Sequence, residues 1–282
     1  MSARPAPPGL ATGAWRILTL SLDTALASRS LVLPALILAV LPLVATLGRP
    51  SIPPELAHVP AGVAVFHRTM LALYLGPVTM LVTLLLATAA LGDELERRTL
   101  VHLITRPVSR GALYLGKLAS LVAMSWAMVS LSLSASLMVL TTRLGGELGT
   151  DYLVTLLAVE LVAALAYGTL FFLASLTLPF ATLAGLAYGF GLEVALTNLP
   201  GYFAWGSIGY HARRLFDAEL AALHPVLLPK PPANAFQQLL AAEVPEPAQS
   251  AWILAGFVVV TFAGGWLSCA LREFNARLGK SD

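Results

Sequence analysis

The stretch Asp93–Lys117, DELERRTLVHLITRPVSRGALYLGK, decides how this 282-residue chain folds. It is the densest charged segment in a sequence that is only 11% charged, and long apolar runs flank it on both sides. Leu95, Thr99, Leu100, Leu103 and Ile104 recur at helical spacing, which predicts a short amphipathic helix over 94–104. Asp93 stands where an N-cap belongs, and Glu94 and Glu96 fall in a first turn, where the helix dipole favours acids. Pro107 stops that helix, and Ser109 can start the next one. So short a helix between two apolar runs cannot itself cross a bilayer. It is expected at the water interface, with its polar side toward something soluble.

Outward from this segment the chain is apolar. Hydrophobic residues make up 57% of it and the mean hydropathy is +0.80, against about 45–50% apolar residues in soluble domains. Runs near 20 residues long then imply an integral membrane protein rather than a soluble one with a large core. Spans are expected at 31–48, 69–92, 112–141, 152–175, 179–198 and 251–270. Pro34 and Pro42 interrupt the first, and Pro77 should kink the second. Before them, 1–30 forms a tail and an interfacial helix whose stripe is Trp15, Leu18, Leu22 and Leu26. The first long apolar run begins at Leu31, too deep for a standard cleaved signal.

Residues 199–250 are the one large hydrophilic excursion. Tyr202, Phe203, Trp205 and Tyr210 open it, and Arg213, Arg214, Asp217 and Glu219 follow. Asn234 and Gln237 then start a helix over 235–242. About 50 residues is too few for a domain with its own core, so a cap resting on the membrane is expected, with its aromatics at headgroup level. With both ends cytoplasmic, the N-terminal stretch, Asp93–Lys117 and the tail 271–282 hold eleven Lys and Arg. The loops 49–68, 142–151 and 199–250 hold six, in the sense of the positive-inside rule. The fold class is therefore all-α and membrane-integral, with six spans over 31–270.

The order Asp-Glu-x-Glu-x-x-Thr-Leu, then Leu-Ile-x-Arg-Pro-Val-Ser-Arg, then Leu-x-x-Gly-Lys resembles the coupling segment of ABC-2 type transporter permeases. Within that family it is similar to the branch holding the permease of the nitrous-oxide-reductase maturation system. The resemblance implies a coupling segment at 93–111 that docks two copies of a separate ATPase. Asp93, Glu94, Glu96, Arg97, Thr99, Leu100, Leu103, Ile104, Arg106, Pro107 and Arg110 are the positions it assigns to docking. It also implies a homodimer in a prokaryotic cytoplasmic membrane, a large external loop before the last span, and export. ATP and magnesium would belong to the partner ATPase, with no cofactor in this chain.

The residues themselves carry little chemistry. Gly111–Lys117 satisfies GxxxxGK, but Leu118 replaces the Ser or Thr that magnesium needs and an apolar run follows, so it is no P-loop. His58, His67, His102, His211 and His224 show no metal-ligand spacing, and the single Cys269 reads as a packing residue. Basic residues are dispersed, which gives no nucleic-acid surface. Ser125, Ser132 and Ser136 share a helical face, suited either to helix packing or to a polar translocation path. Glu160 and Glu193 fall inside expected spans, where acids face the bundle interior or a cavity. Counted from the span ends, both lie about 8–12 Å below the external surface. The same two acids leave open an intramembrane enzyme, and the coupling segment leaves open an anchor that recruits an ATPase without transport.

Overall fold

A computed structural model describes residues 9–47, 59–67, 71–96, 109–146, 149–198, 201–223 and 245–271, and no strand occurs among them. The chain opens with α1, Leu10–Leu26, and turns by about 70° through a 3-10 turn at Arg29–Leu31 into α2, Val32–Leu47. A short α3, Ala61–Val65, precedes α4, Leu71–Leu73, a π-helical turn at Tyr74–Val78, and α5, Thr79–Glu96. Then come α6, Arg110–Leu144, and α7, Thr150–Thr177. A second broken segment comprises α8, Ala181–Leu186, a π-helical turn at Ala187–Glu193, and α9, Val194–Asn198. A 3-10 helix at Gly201–Gly206, α10, Ile208–Leu223, and α11, Pro247–Leu271, complete the bundle.

Three of these helices, α6, α7 and α11, are long and apolar enough to cross a membrane alone, and α1 with α2 would be a fourth if counted as one bent span. The segments Tyr74–Ala90 and Ala181–Leu196 are apolar but shorter. Both contain a π turn. Pro77 lies inside the first π turn, while Pro42 lies within α2 and the helix continues past it. Ser109 caps α6, its Oγ accepting from the Ala112 N–H at 3.2 Å.

Glycines set the closest approaches. A Cβ on Gly116 of α6 would stand 2.6 Å from the Ala14 carbonyl oxygen and 2.7 Å from Ile17 Cβ, so α1 lies directly on the backbone of α6. The face of α1 turned to the bundle is therefore Gly13 and Ile17, both buried. Of the stripe expected to lie along the membrane, Trp15 and Leu26 are 65% and 66% exposed, while Leu22 packs partly against the core. Ala181, Gly185 and Gly189, after α7, form a stripe of small residues at four-residue spacing, and its two glycines pack against α5. A Cβ on Gly185 would collide with Leu84, and one on Gly189 with Met80, and Met80 and Leu84 are one helical turn apart.

Two further expectations change. Asp93 starts no new helix, because α5 runs without a break from Thr79 to Glu96. Gly92 costs only about 1 kcal/mol in a helix, too little to stop one flanked by Ala, Leu and Glu. The remaining coupling positions, from Arg97 to Pro107, lie outside the described residues, as does the 235–242 helix. The region after α9 also differs from a cap lying on the membrane surface. Ile208, Ala212, Phe216 and Leu220, spaced by four, are at most 2% exposed and pack α10 against α7 and α11.

Candidate functional site

A buried polar seam runs through the bundle, and its origin is Pro42. Proline has no N–H, so the carbonyl four residues earlier, that of Leu38, loses its helical partner. Ser132 Oγ on α6 donates to that oxygen at 2.6 Å. Tyr74 Oη lies 2.6 Å from Ser132 Oγ and 2.9 Å from Ser136 Oγ. One proton per hydroxyl then orders the chain: Ser136 donates to Tyr74, Tyr74 to Ser132, and Ser132 to Leu38. Two turns from Ser132 toward the start of α6, Ser125 Oγ pairs with Thr83 Oγ1 of α5 at 2.6 Å. All three serines singled out in the sequence are thus buried and bonded across helices.

Glu160 of α7 is fully buried. Thr79 Oγ1, at the head of α5, lies 2.7 Å from Glu160 Oε1 and 2.6 Å from the Tyr74 carbonyl oxygen at the π turn. The other carboxyl oxygen, Oε2, is buried with no hydrogen-bond partner. An unmatched carboxyl oxygen in a dry interior costs about 1–3 kcal/mol or more, so this position is expensive to keep.

Glu193 is saturated. Its Oε1 accepts from Tyr167 Oη at 2.7 Å, Ser207 Oγ at 3.0 Å and the Gly209 N–H at 2.7 Å, and its Oε2 accepts from Tyr188 Oη at 3.0 Å. Ser207 also caps α10, accepting from the Tyr210 N–H at 3.0 Å. The carboxyl group therefore sits on the N-terminus of α10, where free N–H groups and the helix dipole both favour an anion. Its level in the bundle follows from Tyr167, fifteen residues along α7 from Tyr152, or about 22 Å at ~1.5 Å per residue. The segment from α8 to α9 stops well short of the Thr150 end of α7, and α10 covers the rest, with Phe216 edge-on to Tyr152 at 5.3 Å.

The two acids thus occupy separate clusters. Seven residues, two helical turns, separate Glu160 from Tyr167 on α7, so the clusters share one face of that helix. Of the docking positions, Arg110 is fully described: its Nη1 donates to the Ala270 carbonyl oxygen at 2.9 Å, which ties the start of α6 to the end of α11. Gly111–Lys117 lies within α6 and is helical. Tyr74, Thr79, Thr83, Tyr167, Tyr188 and Ser207 were not picked out in the sequence. Thr79 and Thr83, one turn apart in an apolar run, carry a signal of the same kind as the serines.

Among curated proteins, none matches the chain. A protein-family model described as ABC-2 family transporter protein matches residues 57–272, which take in both acid clusters, α10 and the polar seam apart from its Leu38 and Pro42 end. The chain belongs to that family, as the membrane permease component of an ABC transporter.

Proposed function

We propose that the chain is an exporter permease with six spans and cytoplasmic termini, working as a homodimer with two ATPase subunits that dock on 93–111. The broken segments Leu71–Glu96 and Ala181–Asn198 count as its second and fifth spans, the fifth completed by α10. The observation that supports docking is mechanical. The segment joins the end of α5 to the capped start of α6, and Arg110 staples that start to the end of α11. A displacement of the segment therefore reaches three bundle helices at once.

Leu100, Leu103 and Ile104 would seat the segment, and Glu94, Glu96, Arg97 and Arg106 would fix its register by charge. Of the polar residues expected on a translocation path, Glu160 is the one with an oxygen left over, so it is the group we place beside the moving solute. The reading is tested by co-expressing the chain with a candidate ABC ATPase subunit from the same genome. The double substitution E94K/E96K should cost co-purification of the ATPase and lower vesicle transport at least about tenfold, on the scale of one lost charged contact. Unchanged assembly and transport would remove the docking role.

A further inference from the structure

The two buried acids meet opposite surroundings. Glu193 accepts from three hydroxyls and a backbone N–H, contacts that suit a carboxylate. Glu160 has Thr79, whose hydroxyl oxygen also lies 2.6 Å from the Tyr74 carbonyl oxygen. A carbonyl only accepts, so Thr79 Oγ1 gives its single proton there. The 2.7 Å contact with Glu160 Oε1 then needs a proton from the carboxyl group itself. The other oxygen, Oε2, is buried with no hydrogen-bond partner, where a negative charge would be far more costly than a neutral group.

The surroundings offer that charge no counter-ion. Among the described residues, no Lys, Arg or His acts on Glu160. Tyr74 is the titratable group that faces it from another element, and Ser132 and Ser136 of α6 hold its hydroxyl. On α7 itself Leu156, Ala163 and Ala164 lie one turn away. Arg213 and Asp217 of α10 act on Tyr167 and Tyr152 instead. Where α11 meets α7, Thr261 bonds to Thr169, an uncharged pair.

We propose that Glu160 binds one exchangeable proton, held while α5 and α7 are packed together and released to water when they part. Release leaves a carboxylate, which persists only where solvent or a cation reaches it. Because α5 ends inside the docking segment, at Glu96, a displacement there is passed along one helix to Thr79. That trigger rests on the docking reading above; the proton rests only on the contacts of Thr79 and Oε2. Each transport cycle then binds and releases one proton per chain.

The test uses the full chain in neutral detergent, without solute or ATPase. At about pH 7, well above the ordinary glutamate value of about 4.3, infrared absorption in heavy water should show the C=O stretch of a protonated carboxyl group. E160Q should remove that band and E193Q should keep it. T79V takes away the hydroxyl at Oε1 and should shift the band, which assigns it should E160Q fail to fold. Unfolding parts α5 and α7 completely, and the freed glutamate ionises. The folded chain thus holds one proton more than the unfolded chain, so raising the pH destabilises it. From about pH 5 to about pH 7 the wild-type unfolding constant should rise about tenfold per pH unit more than that of E160Q. No acid band, a band that survives E160Q or ignores T79V, or equal pH dependence in wild type and E160Q would overturn the proposal. None of these readouts involves the ATPase, so a failure of docking would leave them standing.

Discussion

Ser132 Oγ stands 2.6 Å from the carbonyl oxygen of Leu38, the one backbone acceptor in α2 that Pro42 leaves without its helical donor. The serine on α6 thus completes a helix it does not belong to. S132A should cost about 1–3 kcal/mol, the expense of a buried unpaired carbonyl. P42A restores the N–H, so adding S132A to it should cost far less than S132A alone. A double-mutant cycle by thermal unfolding measures the coupling. Additive effects would show that Ser132 stabilises through Tyr74 instead.

Glu193 makes a second such closure, between α7 and the N-terminus of α10. E193A leaves Tyr167, Tyr188, Ser207 and the Gly209 N–H without their common acceptor. Three hydroxyls can reorient and one backbone N–H cannot, so the expected loss is about 3 kcal/mol or more. E193Q keeps one carbonyl oxygen for Gly209, and its amide can donate to a reoriented Tyr188, so it should lose less than half as much. Hydrogen exchange at Gly209 and Tyr210 reads the effect locally, and equal exchange in E193A and wild type would contradict it.

How far these contacts could be read from sequence depends on what each residue type advertises. Ser109 is a cap by position and proves one, because the helix after it is long and nothing competes. The stripe of Gly185 and Gly189 announces close packing without naming the partner, which only the spacing of Met80 and Leu84 on another helix supplies. Asp93 looks like a cap because acids follow it, yet a single glycine before it does not end α5. The buried face of α10 was present as Ile208, Ala212, Phe216 and Leu220 at intervals of four. It was masked by Tyr202, Phe203, Trp205 and Tyr210, whose aromatic character suits a headgroup belt equally well. Pro42 and Ser132 lie ninety residues apart, and the orphaned carbonyl is written in neither alone.

The glycine stripe makes the packing of α5 testable. G189L places a branched side chain where Met80 already lies, and G185L does the same against Leu84. Each should destabilise by about 1–3 kcal/mol through overpacking. G189L combined with M80A frees the volume and should recover part of the loss, as thermal unfolding of the purified chain would show. An absence of recovery would place the strain elsewhere on the π turn.

Thr79 carries one hydroxyl proton for two short contacts, 2.6 Å to the Tyr74 carbonyl oxygen and 2.7 Å to Glu160 Oε1. One proton cannot bridge both well, so the geometry calls for a donor on the side chain at position 160. Glutamine carries one. In E160Q the amide N–H can donate to Thr79 Oγ1, and Thr79 is then free to donate to Tyr74. E160Q should therefore unfold at the wild-type temperature or above it, whereas E160A opens a cavity and should lose about 2–5 kcal/mol. Stability and transport then separate: beside the solute Glu160 can give up that proton and make a charged contact, which an amide cannot, so E160Q keeps the fold and loses at least about tenfold in vesicle flux. Full flux from E160Q would leave the carboxyl group as packing alone.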